Sequence, residues 1–381
     1  MSENKQIVQK KFVLISPKNR TVYNFRGDLI REIQSRGYQV MVTGPDRADI
    51  GKVLELGVEF AEIPMSKTGT SISADVRYFI RLYHFLRKEK PDVTLGYTIK
   101  PVVYGGMAAR LAGVGNINGM VTGGGYTFAS DSTKAKALGV IVRVLYRAGL
   151  ACSRNVIFHN KDDLREFCDR KLVKQSKCSV VNGSGVNLEL FKPSPLPGQI
   201  TFLMVARLLK SKGVREYLQA ARIVKETYAS VRFMLLGKYE DGRMPDAVPK
   251  EEIESYVQDG VVERFDETDD TSLFYNACSV YVLTSYREGL PRTVLEAMAT
   301  GRAIITTDVN GCRDTVAEGK NGFLVPARDV EALSDKMKWF ILQPEQIGIM
   351  GEESLRFCEE KFDVSVVNQD MVRILGIEDK V

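Results

Sequence analysis

Short apolar runs alternate with amphipathic stretches along the whole chain. The stretches at 25–36, 74–89, 214–228 and 293–300 repeat apolar residues at helical spacing. Apolar runs of strand length lie between them, at 12–16, 39–43, 92–96, 156–158 and 179–181 in the first half, and at 200–205, 232–236, 260–265, 279–284 and 303–306 in the second. Strands separated by helices in this way predict βαβ units and parallel sheets, so the expected fold class is α/β.

A proline-rich run interrupts this pattern near the middle of the chain. Residues 192–198 read Lys-Pro-Ser-Pro-Leu-Pro-Gly, a composition that excludes both a helix and a central strand. We therefore predict two α/β domains, at 1–192 and 193–362, and a C-terminal helix within 363–381. Parallel sheets bind ligands at the carboxyl ends of their strands, so two facing domains predict a site in the cleft between them.

Composition adds an asymmetry of charge to this picture. The 381 residues are 44% hydrophobic and 27% charged, as expected for a folded protein of two domains. The formal net charge of +5 combines a basic half, +13 over residues 1–192, with an acidic half, −8 over residues 193–381. The basic half indicates a polyanionic partner, which is a nucleic acid, an anionic membrane surface or a polyphosphate.

The cysteines and histidines give no indication of a metal site. Six cysteines are scattered without C-x-x-C spacing, and the chain has only two histidines. This pattern predicts no zinc site and fits reduced thiols in the cytoplasm. The apolar run at 12–15 is too short for the core of a signal peptide, and we read it as the first strand. No window has the length of a transmembrane helix.

The segment after the predicted strand at 279–284 carries the most specific pattern. Glu288 lies in the loop before a helix that begins near Arg292, and Gly289 allows backbone to approach a ligand closely. The free N–H groups and positive dipole of the helix start suit a phosphate. Glu296 lies about one turn inside the helix, so two glutamates flank that end. The alternative is a surface helix with solvated glutamates.

A cationic loop follows the first strand of the second domain. Arg207 lies at the carboxyl end of the strand at 200–205, and Lys212 precedes Gly213 at the start of the next helix. A guanidinium and an ammonium suit a diphosphate, and they can stabilise a departing diphosphate without a metal. The alternative is a solvated cationic loop.

These two segments resemble the family-4 glycosyltransferases of the GT-B fold. That family carries a Glu-x7-Glu motif, matched by Glu288 and Glu296, and an arginine with a Lys-Gly pair in the first loop of its C-terminal domain. Further strings follow in the family's order, at 183–187, 191–193, 235–238, 311–314 and 319–325, so the resemblance covers nearly the whole chain. It implies two Rossmann-like domains facing each other across a cleft, with the C-terminal helix returning to the first domain.

The resemblance implies a role for each matching residue of the donor site. Glu288 would hold sugar hydroxyls, and Arg207 with Lys212 would bind the donor diphosphate. The other implied contacts are the backbone of Gly289, Leu290, Thr293 and Val294, the ribose hydroxyls at Glu296, and the base near Lys238, Arg264 and Phe265. The family retains anomeric configuration and needs no metal or other cofactor, which agrees with the absence of an Asp-x-Asp triplet here. We nominate no dedicated general base, because the leaving phosphate can accept the acceptor's proton.

Departures from the wider family fall in the first domain. The histidine that many members carry after the fourth strand is replaced by the string at 96–101, and the glycine pair of the first loop is absent from 16–27. The strings at 97–105 and 122–126 are similar to a branch that extends sugars on polyprenyl diphosphate carriers. That branch implies a UDP-sugar donor and an N-acetylhexosamine such as the N-acetylgalactosamine of bacterial N-glycan assembly. The candidate acceptor-binding residues are Asn24, Arg26, Lys67, Thr98, Lys100, Gly124 and Tyr126, of which the basic ones suit the acceptor's diphosphate.

A basic amphipathic window lies in the first domain at 134–154. It contains five cations and no acid, with apolar residues near helical spacing. Arg143 and Arg147 therefore mark a candidate contact with an anionic membrane surface, and core packing of one helix face is the competing interpretation. We expect a cytoplasmic protein peripherally associated with the inner face of the membrane. Nucleic acid is disfavoured, because no recognition motif accompanies the charge.

Two other functions remain open on the sequence. A UDP-sugar 2-epimerase uses a similar two-domain cleft, and a non-catalytic sugar-nucleotide-binding protein would bind the donor without turnover. A dinucleotide oxidoreductase is disfavoured, because no G-x-G-x-x-G follows a predicted strand.

Overall fold

The computed structural model describes residues 9–66, 71–123, 133–242 and 244–378. It divides the chain into two compact units, Met1–Ser184 with Val367–Val381, and Gly185–Val366. The predicted boundary at 193 differs from this division, because Val186 and Phe191 pack in the core of the second unit. The proline-rich run therefore begins inside the second unit.

The first unit is built on a seven-stranded parallel sheet with strand order β3-β2-β1-β4-β5-β6-β7. Its strands are β1 Lys11–Ile15, β2 Gln39–Gly44, β3 Glu59–Glu62, β4 Val93–Tyr97, β5 Asn116–Val121, β6 Asn155–Phe158 and β7 Cys178–Val180. The central strands are apolar on both faces, as expected for a parallel sheet covered by helices on each side. Leu14 of β1 lies between Val42 and Leu95 in the register of its neighbours.

Helices connect these strands. They are α1 Asn19–Ser35, α2 Ile50–Leu54, α3 Ile72–Glu89, α4 Gly106–Ala112, α5 Thr133–Cys152 and α6 Lys161–Asp169, and a π-helical turn at Pro101–Gly105 precedes α4. Near the C-terminus, Met371, Val372 and Leu375 pack in the same core as Leu14 and Leu95. They belong to a helix that begins at Val364, so the end of the chain contributes to the first unit.

The second unit has a six-stranded parallel sheet with strand order β10-β9-β8-β11-β12-β13. Its strands are β8 Thr201–Val205, β9 Arg232–Leu236, β10 Glu263–Phe265, β11 Val280–Leu283, β12 Ala303–Thr307 and β13 Gly322–Val325. The helices that follow α6 are α7 Val214–Thr227, α8 Lys250–Gln258, α9 Ser272–Asn276, α10 Arg292–Ala299, α11 Val330–Leu342, α12 Glu345–Lys361 and α13 Val364–Leu375. The predicted α/β class with parallel sheets is confirmed in both units.

One buried cation fixes the proline-rich run to the second unit. The Arg302 side chain is fully buried and its guanidinium donates to the carbonyls of Ser194, Tyr275 and Asn276, at 2.8, 2.8 and 3.2 Å. The run has no backbone ladder of its own, and the bond to the Ser194 carbonyl links it to Tyr275 and Asn276 through the same guanidinium.

Candidate active site

The Glu288 loop lies at the carboxyl edge of the second sheet. It follows β11 and leads into α10, which begins at Arg292 as the sequence predicts. The Glu288 carboxylate accepts two hydrogen bonds on Oε1, from Lys212 Nζ at 2.5 Å and from Ser285 Oγ at 2.7 Å. The structure therefore brings together the two residues that the sequence places 76 positions apart.

Two glycines hold the backbone around this ion pair. Gly213 has φ +71°, and a Cβ there would lie 2.1 Å from the Thr284 carbonyl oxygen. Gly311 has φ +78°, and a Cβ there would lie 2.7 Å from the Glu288 carbonyl oxygen and 2.4 Å from that of Gly289. Only glycine combines a positive φ with such close approach, so both positions fix where Lys212 and Glu288 lie.

Glu296 is buried and both of its oxygens have partners. Tyr275 on α9 donates its hydroxyl to Oε2 at 2.8 Å, and Arg292 donates Nε to Oε1 at 3.0 Å. Burial raises the pKa of Glu296, while Arg292 and Tyr275 act in the opposite direction. Burial, reinforced by the charge of Glu296, holds the pKa of Tyr275 far above its ordinary value, so its hydroxyl remains a donor.

The structure places Arg207 in a different ion pair. Its Nε donates to Glu240 at 2.7 Å, and its side chain is 58% exposed while that of Glu240 is 10% exposed. Arg207 follows β8, which lies next to β11 in the sheet, so it shares the carboxyl edge with the Glu288 loop. A diphosphate bound by Arg207 must compete with Glu240 for the guanidinium.

The candidate base-binding residues lie on the neighbouring strands. Lys238 follows β9 and donates to Glu267 at 2.9 Å. Arg264 of β10 donates to the Gly237 carbonyl at 2.8 Å and lies 4.2 Å from the Tyr239 ring centre. Phe265 packs edge-to-face on Phe274, at 5.0 Å between ring centres.

The remaining donor candidates belong to the turn that starts α10. Leu290 packs against the core, and Val294 is buried. The Val294 N–H donates to the Pro291 carbonyl at 3.1 Å, so in this structure that group is already used inside the turn.

The described acceptor candidates lie at the carboxyl edge of the first sheet. Arg26 is 4% exposed; it donates to Ser184 Oγ at 3.2 Å, and its guanidinium lies 5.2 Å from the Tyr97 ring centre. Thr98 follows β4 with φ +67°, an unfavourable backbone conformation for a β-branched residue. Asn24 is exposed on α1. Lys67, Gly124 and Tyr126 are outside the described residues.

Lys100 is held by a residue that the sequence did not indicate. Its Nζ lies 2.6 Å from Asp75 Oδ1, and Tyr104 donates its hydroxyl to Asp75 Oδ2 at 3.0 Å. Asp75 lies on α3, whereas Lys100 directly precedes the π-helical turn. Strained backbone and π-helical turns are frequent at functional sites, and both occur here within a few residues of Lys100.

Neither a metal cluster nor a membrane span is found in the part of the chain that the structure describes. It contains no group of three or more His, Cys, Asp or Glu side chains that could hold a metal ion. Within the same residues, no helix combines the length and apolar character needed to cross a bilayer.

Solved structures share the fold of this chain. A glycosyltransferase from Rickettsia africae superposes with a TM-score of 0.77 at 15% identity, covering 97% of this chain and 99% of that one. The Anabaena protein HepE, solved in complex with UDP, gives a TM-score of 0.77 at 16% identity, covering 96% and 99%. The two parallel-sheet units thus have the GT-B fold.

Family models then identify the class of enzyme. Residues 187–356 match the glycosyl transferases group 1 and residues 12–160 match the glycosyl transferase 4-like family. The chain belongs to these GT-B glycosyltransferases, which confirms the predicted family and decides against the epimerase and the non-catalytic binding protein.

Two curated relatives are informative about the branch. The N,N'-diacetylbacillosaminyl-diphospho-undecaprenol alpha-1,3-N-acetylgalactosaminyltransferase of Campylobacter jejuni is 25% identical, over 96% of this chain and 98% of that protein. The UDP-Gal:alpha-D-GlcNAc-diphosphoundecaprenol alpha-1,3-galactosyltransferase of Escherichia coli is 29% identical, over 71% of each. Both names describe transfer of a sugar to a saccharide linked to diphospho-undecaprenol.

Proposed function

We propose that this glycosyltransferase moves an N-acetylhexosamine, with N-acetylgalactosamine as the first candidate, from a UDP-sugar to a polyprenyl-diphosphate-linked saccharide. The observation that carries the proposal is the Lys212–Glu288–Ser285 cluster at the carboxyl edge of the second sheet, eight residues before the buried Glu296. The relatives' names support the lipid-linked acceptor and the UDP donor.

In the proposed reaction Glu288 holds hydroxyls of the donor sugar and Glu296 holds those of the ribose. Lys212 and Arg207 bind the donor diphosphate. Each cation already has a carboxylate partner, Glu288 for Lys212 and Glu240 for Arg207, so the diphosphate takes over cations that are held in position before it binds. Such preorganised charge stabilises a leaving group without reorganisation at the moment of reaction.

The chemical step we propose proceeds with retention and without a metal. The bond between the sugar C1 and the β-phosphate oxygen breaks, and the acceptor hydroxyl oxygen forms the new C1–O bond on the same face. The acceptor's proton passes to the departing phosphate oxygen, so no side chain is needed as a base. Lys212 and Arg207 offset the negative charge that develops on the diphosphate.

We also propose that the enzyme works in the cytoplasm, peripherally associated with the inner face of the membrane. The acceptor's polyprenyl chain resides in a bilayer, and the basic residues Arg143 and Arg147 on α5 would contact anionic lipid. Arg147 is exposed and Arg143 is half-buried.

Turnover by Glu288→Ala tests the site. We expect kcat/KM for UDP release to fall at least about a hundredfold, because the variant loses its contact with the donor sugar and leaves Lys212 without its carboxylate. Glu360→Ala is the matched control, since that exposed glutamate on α12 pairs with a surface arginine, Arg356. Near-normal turnover of Glu288→Ala would remove this residue from the mechanism.

A donor and acceptor panel tests the substrate class. UDP should be released from one UDP-N-acetylhexosamine only when a short-chain polyprenyl-diphosphate mono- or disaccharide is present. Turnover should survive EDTA, and the anomeric proton coupling of the product should match the donor's. Inversion, loss of turnover in EDTA, or preference for another nucleotide would each refute the corresponding part of the proposal.

A further inference from the structure

An apolar stripe runs along the outside of α3. Ile72, Val76 and Ile80 are 80, 49 and 45% exposed, and their spacing of four residues places them on one face. The opposite side of the helix is already buried, through Tyr78, Leu82 and Leu86. Core packing therefore does not account for the exposed stripe, and contiguous exposed apolar side chains mark interaction surfaces.

Helix α5 repeats this arrangement. Val140, Ile141 and Val144 are 51, 57 and 63% exposed, while Tyr146 and Leu150 are buried in the core. One face of α5 is therefore used in core packing, and the other face presents apolar side chains at the surface.

The two stripes belong to one layer of the first unit. Helix α3 connects β3 to β4, and α5 connects β5 to β6, so both crossovers run in the same direction along the sheet and lie on the same face. Both helices also contact the π-helical turn at Pro101–Gly105, which lies between them. Both begin at the carboxyl edge, where Lys100 is held by Asp75 of α3.

The charges around the stripes have one sign. Exposed arginines Arg77 and Arg81 flank the stripe on α3, and Arg143 and Arg147 lie beside that on α5. The sequences of α3 and α5 contain only two acids, Asp75 and Glu89, and each is bound to a lysine of another element, Lys100 at 2.6 Å and Lys11 at 3.2 Å. A second copy of this chain would meet the same positive charge, so the surface opposes self-association.

We propose that the outer faces of α3 and α5 form one docking surface for an anionic phospholipid bilayer. The apolar side chains enter the boundary between headgroups and acyl chains, and the arginines bind lipid phosphates. The inference rests on the membrane association proposed above and adds α3 to it. The sequence predicted this helix but did not mark it as a membrane contact. Asp75 belongs to α3 and holds Lys100, so docking of α3 would bring this candidate acceptor residue to the membrane.

Vesicle binding tests this surface without changing its charge. Ile72→Gln with Ile80→Gln should weaken binding to phosphatidylglycerol/phosphatidylcholine vesicles at least about tenfold, because two apolar side chains no longer enter the bilayer boundary. Val140→Gln with Val144→Gln should do the same on α5. The matched control is Leu342→Gln with Ile349→Gln, two residues of the second unit that are 62 and 53% exposed.

A charge-reversal variant tests the electrostatic contribution to vesicle binding. Arg143→Glu with Arg147→Glu should weaken binding at least about tenfold, and the wild type should bind pure phosphatidylcholine vesicles far more weakly than the anionic ones. Unchanged binding in both glutamine pairs, or equal binding of the wild type to both vesicle types, would overturn the proposal. A concentration-dependent dimer that both glutamine pairs abolish would also overturn it, since the occupant would then be a second copy.

Turnover on a water-soluble short-chain acceptor separates this inference from the proposed reaction. The glutamine pairs should keep that activity while losing vesicle binding. A wild type that binds anionic vesicles but transfers no sugar would refute the reaction and leave the docking surface standing.

Discussion

Replacing Tyr275 with phenylalanine removes one hydroxyl from the second unit while leaving the ring. That ring is fully buried and packs against Phe191 and Tyr281, at 6.0 and 5.7 Å between ring centres. The hydroxyl donates to Glu296 Oε2 at 2.8 Å. The substitution therefore acts on the carboxylate that we propose binds the ribose, and not on the volume of the core.

The size of the effect follows from the kind of bond that is lost. A hydrogen bond to a charged group contributes about 1.5–3 kcal/mol, which sets a ceiling of roughly a hundredfold on affinity. The bond is already formed in this structure, so only part of its free energy affects binding, through the orientation and ionisation of Glu296. We expect UDP to bind about tenfold more weakly to Tyr275→Phe.

The pH dependence has a definite sign. The carboxylate form of Glu296 accepts ribose hydroxyls, so UDP affinity should fall as pH decreases towards the pKa that burial has raised. The Tyr275 hydrogen bond stabilises this carboxylate, and its loss raises the pKa of Glu296 further. The variant should therefore lose affinity at a higher pH than the wild type does.

Calorimetry with two ligands separates positioning from general damage. The wild type should prefer UDP over its 2′,3′-dideoxy analogue, and Tyr275→Phe should reduce this preference severalfold. Tyr217→Phe is the matched control, because Tyr217 is fully buried in the same core and its hydroxyl donates to the backbone at Phe202 and Met234. An unchanged preference and pH profile in Tyr275→Phe would refute the role of Tyr275. A wild type that binds both ligands equally would refute the role of Glu296.

Two further predictions concern stability. Burial and the charge of Arg26 lower the pKa of His159 from 6.5 to about 3, so the unfolded chain takes up the proton first and wild-type stability falls as pH drops below 6.5. His159→Gln should remove up to about 1.4 kcal/mol of this loss per pH unit. Urea titrations measure the free energy of unfolding at each pH, and an equal slope against pH in both proteins would contradict this expectation. Gly213→Ala should destabilise by about 3 kcal/mol, because its Cβ would meet the Thr284 carbonyl. Gly319→Ala, with φ +73° but no atom within 4 Å, should cost about 1 kcal/mol in the same assay, and equal losses would show that backbone strain alone matters.

Strands were predictable where the sequence itself carries an unbroken apolar run. The apolar runs of β1, β2, β8 and β9 mark central strands, and the structure places each within one residue of its run. Three strands were missed. β3 is an edge strand that reads Glu-Phe-Ala-Glu with exposed ends, β5 contains Asn118 and Gly119, and β13 is short and begins with a glycine. Their pairing depends on neighbouring strands and not on a local apolar pattern.

The candidate site was likewise predictable only in part. Glu288, Glu296 and the start of α10 lie in one short segment, so their spacing alone indicated a ligand-binding loop. Tyr275 and Gly311 contact that segment from other elements. No pattern marked Tyr275, and the family string at 311–314 contains Gly311 without indicating this contact. The Arg292–Glu296 pair is the exception, because an i,i+4 separation on a helix could have indicated it.

Charge was informative about surfaces and uninformative about the site. In the acidic second unit the proposed donor cations are paired, Arg207 with Glu240 and Lys212 with Glu288, so net charge gives no sign of where a diphosphate would bind. In the first unit the two acids of α3 are bound by lysines. The arginines on the outer faces of α3 and α5 therefore have no acid on either helix to neutralise them. Part of the +13 excess of residues 1–192 therefore lies on the outer faces of these two helices. A long-range attraction to an anionic surface requires such an unneutralised excess, whereas recognition of a diphosphate requires only cations held in place, which neighbouring carboxylates supply.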